Sequence, residues 1–301
     1  MEGRPLRWEP PSGIGARGLC RPPDPNPDPS RTTEGVEHIS RLPDDLLLQV
    51  LVRLQCTRAA AHTSLISRCW RGLWRYLPEL YFRDITPGAL DTALSQVARG
   101  QLCLLDIDVP DEHRYSAAGV ASLLRTAALL APVVLSVSVC GDISDRDISV
   151  EVPIFERATS IKPNVWNLYL VPPAKGGEFT VLEKLSISGC HVDDGFLVQM
   201  TGGACPPTCH CQPLQDLGNQ NISLIALEEV ALENVRGSGH EVDFVKLVFR
   251  CAPLMKRMAV KLAPKVLPSS RGCKEICDIF KANPSVTCYL YSSRGKQVVH
   301  A

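Results

Sequence analysis

The sequence has no excess of charge of either sign, because 32 Lys and Arg residues balance 32 Asp and Glu residues over 301 positions. Nucleic acids and anionic membrane surfaces generally select basic proteins, so neither is expected as a partner. An apolar run long enough to cross a membrane is also missing, since the longest one, from Ala127 to Val139, is broken by Pro132. The sequence therefore predicts a protein that neither spans nor coats a membrane.

Sequence motifs for catalysis are lacking as well. There is no glycine-rich phosphate loop, no G-x-S-x-G nucleophile elbow and no H-E-x-x-H zinc motif. We therefore expect no enzymatic activity and no cofactor.

The N-terminal segment, residues 1–35, is proline-rich and polar and carries no secretory apolar stretch. Such a segment cannot bury enough apolar surface to fold, so we predict that it is disordered. Thirteen cysteines are an odd number, and without a secretory signal they are most simply read as reduced thiols. These features predict a cytoplasmic or nuclear protein.

Residues 36–82 carry the strongest helical pattern. Pro43 suits a first helical position, and Asp44 and Asp45 complement the positive end of the helix dipole. An apolar stripe follows, whose members recur at spacings of three and four: Leu46, Leu47, Val50, Leu51 and Leu54. Leu48 widens this stripe.

Two further helices are predicted in this segment, with Thr57 and Ser67 as their N-caps and Pro78 after the last one. The last helix contains Trp70 and Trp74. The apolar residues outnumber those that so small a unit can bury, which favours a partner-binding face. The alternative is a small helical core in which both tryptophans are structural.

The segments LPDDLLLQVLVRL and SRCWRGLWRYLPEL resemble an F-box, specifically the plant kind that precedes a leucine-rich region. The resemblance implies a three-helix module that binds the Skp-type adaptor of a cullin–RING ubiquitin ligase. It also implies a set of residues that divide between adaptor contact and internal core, with the two tryptophans closing the module: Leu42, Pro43, Leu46, Leu47, Val50, Leu51, Leu54, Trp70 and Trp74.

An L-x-x-L-x-L pattern of aliphatic residues recurs after the helical module and predicts short strands that must stack on one another. The best copy is LEKLSISGC, which ends at Cys190. Spacings between copies run from 17 to 45 residues. The predicted copies are Leu102, Leu105 and Ile107; Val134, Val137 and Val139; Val165, Leu168 and Leu170; Leu182, Leu185 and Ile187; Leu227, Val230 and Leu232; and Met255, Met258 and Val260.

The predicted fold class is therefore α/β, an N-terminal three-helix F-box followed by an irregular leucine-rich-repeat solenoid of strand-plus-helix units. The repeat region would span residues 83–240, with an inserted loop near 201–220. A helix after Ser116 would cover one side of the repeats. The alternative is a plain α/β domain whose strands happen to look alike.

In the last part of the chain, residues 241–301, the segments LVFRCAPLMKRMAVKL and CKEICDIFKANPSVTCYLY resemble the FBD domain that follows the repeats in many plant F-box proteins. Cys273, Ile276, Cys277 and Phe280 have helical spacing, and Asn283 with Pro284 ends that helix. A terminal strand with one buried face follows: Val286, Cys288 and Leu290.

One cluster has metal-binding residue types: Cys205, Cys209, His210 and Cys211. Zinc sites usually combine two pairs of ligands that are well separated in sequence, and this cluster lacks the second pair. We therefore expect an inserted loop and no metal, with a zinc module as the alternative.

The resemblance implies the substrate-recognition subunit of an SCF-type ligase. Its partners would be a Skp-type adaptor, through it a cullin, and a target protein. The alternative is an interaction scaffold that recruits no ligase.

Overall fold

The structure is a computed structural model that describes residues 42–98, 102–142, 149–166, 169–171, 179–188 and 224–300. Several predictions lie outside the described residues. These are the disordered segment 1–35, the inserted loop near 201–220, the cysteine–histidine cluster, and the predicted repeat positions Leu168 and Cys190.

Six α-helices and twelve strands make up the described part. The helices are α1 Asp44–Val52, α2 Thr57–His62, α3 Pro87–Leu94, α4 Ala117–Leu130, α5 Gly239–Cys251 and α6 Arg271–Ala282. Three short 3₁₀ helices, Thr63–Leu65, Arg68–Trp70 and Leu73–Tyr76, follow α2. The strands are β1 Glu79–Arg83, β2 Leu104–Asp108, β3 Arg114–Tyr115, β4 Val134–Gly141, β5 Ser149–Glu151, β6 Ser160–Trp166, β7 Tyr169–Val171, β8 Lys184–Ile187, β9 Glu229–Val235, β10 Arg257–Leu262, β11 Thr287–Tyr291 and β12 Gln297–His300.

One large sheet organises the molecule. Its strands follow chain order, β1-β2-β4-β6-β8-β9-β10-β11-β12, with β3 paired to β4, while β5 and β7 form a separate two-stranded sheet. Every pair in the large sheet is parallel except β11 with β12. The α/β class predicted from the sequence is confirmed.

Strand residues alternate between two faces of the sheet, as the period of two requires. On β10, Met258, Val260 and Leu262 are buried, and with their counterparts on other strands and on the helices they form one hydrophobic core. The strand residues that alternate with the buried ones lie on the opposite side of the sheet. We call this side the polar sheet face, and its residues on β6, β8, β9, β10 and β11 are Lys162, Lys184, Ser186, Glu229, Ala231, Glu233, Arg257, Ala259, Lys261, Tyr289 and Tyr291.

Helix ends follow local chemistry. The Ser116 Oγ accepts the Gly119 N–H at 3.1 Å at the start of α4, where a helix was predicted. At the start of α5, Ser238 and Glu241 form a capping box in which the Glu241 carboxylate accepts the Ser238 N–H at 2.8 Å. Each bond satisfies a backbone donor that has no partner inside the helix.

Two of the predicted repeats have the wrong register. Strand pairing aligns Leu105 with Leu135 and Leu135 with Ile161, so the equivalent copies start at Pro132 and Ala158, not at Val134 and Val165. The pairing also adds an unpredicted copy at β1: Leu77, Leu80 and Phe82. In the aligned register the copies are 24 to 30 residues apart, with one longer interval of 45. Pattern matching missed the true register of β4 and β6 because Pro132 and Ala158 occupy the first aliphatic position of their copies.

The predicted third helix of the N-terminal module is wrong. Arg71 adopts an extended conformation and Gly72 a left-handed one, with φ of 75°. Glycine tolerates this conformation because it lacks a Cβ. The segment therefore forms two 3₁₀ helices on either side of this pair.

The two predicted N-caps have different outcomes. Ser67 caps the first of these 3₁₀ helices, where its Oγ accepts the Cys69 N–H at 3.4 Å. Thr57 does not cap α2, since Cys56 occupies that position.

Thr57 instead joins the helical module to the sheet. Its buried side chain accepts the Tyr81 N–H of β1 at 2.8 Å. Arg58, next along α2, donates to the carbonyl of Asp84 just after β1. Because β1 is the first strand of the sheet, the Thr57 hydroxyl satisfies a backbone donor that has no neighbouring strand on that side.

The C-terminal helix is as predicted. Cys273, Ile276 and Phe280 of α6 are fully buried, and the helix ends before Asn283. Strand β11 follows with Cys288 and Leu290 buried. It is not the last strand, because β12 pairs with it in the antiparallel direction.

Seven of the described cysteines form no disulfide: Cys56, Cys103, Cys140, Cys251, Cys273, Cys277 and Cys288. Cys69 is disulfide-bonded, so the prediction of reduced cysteines is wrong at that position. Within the part of the chain that the structure describes, every helix is too short or too polar to cross a membrane.

Candidate partner-binding surface on the first helix

Helix α1 has more apolar surface than the core covers. Leu47, Leu48 and Leu51 are buried against the core. Leu46 and Val50 keep 40% and 46% of their surface exposed, and Leu54, just after the helix, keeps 43%. With exposed Pro43 at its N-cap, these residues recur every three or four positions. We call Pro43, Leu46, Val50 and Leu54 the α1 apolar face.

The structure divides the nine predicted binding residues into an exposed, a half-buried and a buried group. Four form the α1 apolar face. Leu42 is half-buried against the core, and the rest lie inside it: Leu47, Leu51, Trp70 and Trp74. Leu48, which widened the predicted stripe, is fully packed inside. Contact with a partner stays a prediction for all nine, but only the exposed group can make it without unfolding the module.

Two exposed residues were not on the predicted list. Leu65, in the 3₁₀ helix after α2, exposes 86% of its surface, and the adjacent Ile66 exposes 69%. Large apolar side chains that remain this exposed often mark an interaction site. The sequence places these two large aliphatic residues side by side in RAAAHTSLI, and their adjacency was the available signal.

Three of the described thiols are held in the protonated form by their surroundings. Burial raises the pKa of the Cys103 and Cys277 thiols, and it raises that of Cys288 to about 11, which disfavours the reactive thiolate. Within the described residues, no group of three or more His, Cys, Asp or Glu side chains is arranged to hold a metal ion. The cysteine–histidine cluster of the sequence lies outside them.

Comparison with known proteins gives short but clear matches. No family model matches the chain, and no solved structure does. An F-box/LRR-repeat protein of Arabidopsis thaliana is 47% identical over 51 residues, which are 17% of this chain and 12% of that protein. An FBD-associated F-box protein of the same plant is 44% identical over 64 residues, covering 20% and 16%.

The similarity is to plant F-box proteins. A third Arabidopsis relative, F-box/LRR-repeat protein 13, is 43% identical over 68 residues, 23% of this chain and 15% of its own. The chain thus matches less than a fifth of the length of these relatives. Their names combine the F-box, leucine-rich-repeat and FBD elements that the sequence itself resembles, so the resemblance is confirmed over the matched stretch.

Proposed function

We propose that this protein is the substrate-recognition subunit of an SCF-type ubiquitin ligase. In this proposal the helical module, residues 42–76, is an F-box that binds a Skp-type adaptor and through it a cullin. The large sheet and its helices form an irregular leucine-rich-repeat solenoid with an FBD-like end, and this part holds the target protein in the cytoplasm or nucleus.

The α1 apolar face carries the proposal. Burying one leucine side chain contributes about 1.5–3 kcal/mol, and a few such anchors commonly dominate an interface. Three large aliphatic side chains on or just after α1 stay exposed to water, while the other face of the helix is already packed. Burying them against a partner would therefore contribute favourably to the free energy of binding. The F-box similarity of the relatives supplies the identity of that partner.

The order of the strands supports the solenoid half of the proposal. Each strand of the large sheet from β1 to β11 pairs with the next copy of the aliphatic pattern along the chain. Copies of 24 to 30 residues lie close to the usual period of leucine-rich repeats, 20–29 residues. Stacked units of this kind present an extended surface to a partner.

The proposed role requires no reaction from the protein itself. A receptor that is docked to the ligase at one end and holds the target at the other raises the effective concentration of the target near the ubiquitin-charged enzyme. This is positioning and not catalysis.

The test is capture of a purified plant Skp-type adaptor by the full chain. Leu46→Ala combined with Val50→Ala should weaken capture at least tenfold, which corresponds to about 1.4 kcal/mol. The matched control is Leu129→Ala, because Leu129 is a helical leucine on α4 that exposes 61% of its surface. Undiminished binding by the folded double variant would contradict the proposed surface.

A scaffold that recruits no ligase is the second candidate. The two 3₁₀ helices that replace the predicted third α-helix favour it, since a changed module can keep its fold and lose its partner. Failure of the folded wild-type chain to capture the adaptor would favour this candidate, and capture that depends on Leu46 and Val50 would exclude it.

A further inference from the structure

Three lysines on or beside the polar sheet face have acidic partners on the adjacent strand. Lys184 pairs with Glu229 at 3.2 Å, Lys256 with Glu228 at 2.6 Å and Lys261 with Glu233 at 3.4 Å. Within each pair the positive and the negative charge compensate each other, so these six residues add no net charge to the region of β8, β9 and β10.

Two exposed cations on the same face remain uncompensated. Among the residues that the structure describes, neither Arg257 on β10 nor Lys162 on β6 forms an ion pair. The polar sheet face between β6 and β10 therefore has an unpaired cation near each end, and beside it, just before β8, Glu183 is an exposed carboxylate that forms no ion pair with a described residue.

Arg257 is held in place by an aromatic pair. Its guanidinium lies 5.1 Å from the centroid of the Tyr289 ring, a distance typical of a cation–π contact. Tyr289 and Tyr291 stack on β11 with their centroids 5.9 Å apart and their planes 17° from parallel. Tyrosine and arginine are the residues that most often anchor an interface, and here they are ordered before a partner arrives.

The separation of the two cations sets the length of a ligand that reaches both. Strands β6 and β10 are three positions apart in the order β6-β8-β9-β10, which is about 14 Å at the usual strand spacing of about 4.8 Å. The strand register places Arg257 level with Ser160, two residues before Lys162, so the two cations are about 16 Å apart in the sheet. An extended peptide covers that distance in about five residues, at about 3.3 Å each. Ser186, Ala231 and Ala259 lie in the row of Lys162, and Lys184 and Glu229 lie in the row of Arg257.

We propose that the polar sheet face around Arg257, Tyr289 and Tyr291 docks an extended acidic segment of the target protein, whose two carboxylates, about five residues apart, pair with Arg257 and Lys162. The inference rests on the proposed function in taking the sheet as the target-binding part. It adds the chemistry of the partner: two acidic residues with an aliphatic or proline residue that packs on the tyrosine rings.

The experiment uses the full chain and synthetic fluorescein-labelled decapeptides on a background of Ser, Val and Pro. One Glu is fixed near an end, and a second Glu is moved from one to six positions away. We expect the tightest binding by fluorescence anisotropy at a separation of about five, give or take one, and no binding by peptides in which Lys replaces both Glu residues. Absence of binding, equal binding at all separations, or equal binding by the Lys peptides would overturn the proposal.

Variants of the protein assign the contact. Arg257→Glu should weaken binding of the best acidic peptide at least tenfold. Tyr291→Ala should also weaken binding of this peptide, whereas Tyr291→Phe should retain it, because the ring and not the hydroxyl makes the contact. The matched control is Lys274→Glu, a charge reversal at an exposed cation of α6 on the helical side. Equal affinities of Arg257→Glu and Lys274→Glu would overturn the assignment.

Adaptor capture by the same variants separates the two proposals. Arg257→Glu should capture the Skp-type adaptor as well as the wild type does, since Arg257 lies outside the helical module. If the wild type captures no adaptor, the ligase role fails while the peptide result keeps its meaning. If the adaptor is captured and no acidic peptide binds, only the docking surface fails.

Discussion

The first helix and the last helix of the molecule use their apolar side chains in different ways. In α6 the centre of the apolar stripe is covered, since Cys273, Ile276 and Phe280 have no exposed surface and Cys277 is partly buried. In α1 the stripe is wider than the core it meets, so Leu47 and Leu51 are buried while Leu46 and Val50 stay in water. An apolar stripe therefore predicts a helix in both cases, but only the uncovered part of α1 indicates a binding surface.

The C-terminal part and the N-terminal module also differ in how closely their main chain approaches the neighbouring element. Near α6 the main chain comes so close to the turn before α5 that a Cβ at Gly272 would lie 1.9 Å from the Gly237 carbonyl oxygen. The N-terminal module meets the sheet through side chains instead, chiefly Thr57. The C-terminal part should accordingly tolerate substitution less well.

The largest effect should come from the covered stripe. Phe280→Ala removes a fully buried ring that packs edge to face on Phe249 with centroids 6.4 Å apart, and should lower the free energy of unfolding by about 3–5 kcal/mol. Leu54→Ala, at the α1 apolar face, should change it by less than about 0.5 kcal/mol. Urea denaturation measures both. Similar losses at the two sites would break the comparison.

The close backbone approach gives the next effect. Gly272→Ala should cost about 3 kcal/mol, because the new methyl group would meet main-chain atoms that cannot rotate away. Gly239→Ala is the control, since no atom lies within 4 Å of a Cβ there, and it should be neutral or slightly stabilising. Thermal unfolding of the two variants side by side checks this, and a stable Gly272→Ala chain would show that the contact between α6 and the turn can relax.

Loss of the hydrogen bond between the helical module and the sheet should lower the stability by less than the two changes above. Thr57→Val keeps the shape of the side chain but leaves the Tyr81 N–H without its acceptor, which should cost about 1–3 kcal/mol. Thr92→Val on α3 is the matched control, because that hydroxyl is exposed and only donates to the Gly88 carbonyl. Hydrogen exchange at the Tyr81 amide should accelerate in Thr57→Val and stay unchanged in Thr92→Val.

The smallest effect is a pH dependence at the same join. Burial, together with the hydrogen bond to Glu79 at 2.8 Å, raises the pKa of Tyr81 to about 12 from 10.0. The neutral phenol is favoured in the folded state, so its contribution is complete below pH 10 and is lost as the pH rises from 10 towards 12. Absorbance titration of tyrosinate, with Tyr81→Phe subtracted, measures this pKa. A value near 10 for Tyr81 would refute the predicted shift.

Much of the fold could be read from residue spacing. Alternating aliphatic residues located β2, β8, β9 and β10, and the stripe of α6 located that helix. Two strands were placed two residues or more from their true register because Pro132 and Ala158 take the first aliphatic position of their copies. Those positions are buried by their neighbours, and nothing in the segment itself marks them.

The candidate site was predicted as a set and not as a surface. Spacing alone grouped Leu46, Leu47, Val50, Leu51 and Leu54 on one stripe and left Leu48 at its margin. In the structure the core meets the helix at Leu47, Leu48 and Leu51, so the buried face is turned away from the predicted centre. The left-handed conformation of Gly72 could not be predicted from spacing either, since it becomes necessary only when the chain must turn towards β1.

The sequence by itself determined that α1 is an amphipathic helix with surplus leucines, that the strands alternate, and that the N-terminal module resembles an F-box. These are properties of local spacing, which fixes where side chains point relative to their own helix or strand axis. Only the tertiary structure decided which leucines are covered, where the repeats align, and which cations lack a partner. Each of these depends on residues that are distant in sequence and meet only when the strands have stacked.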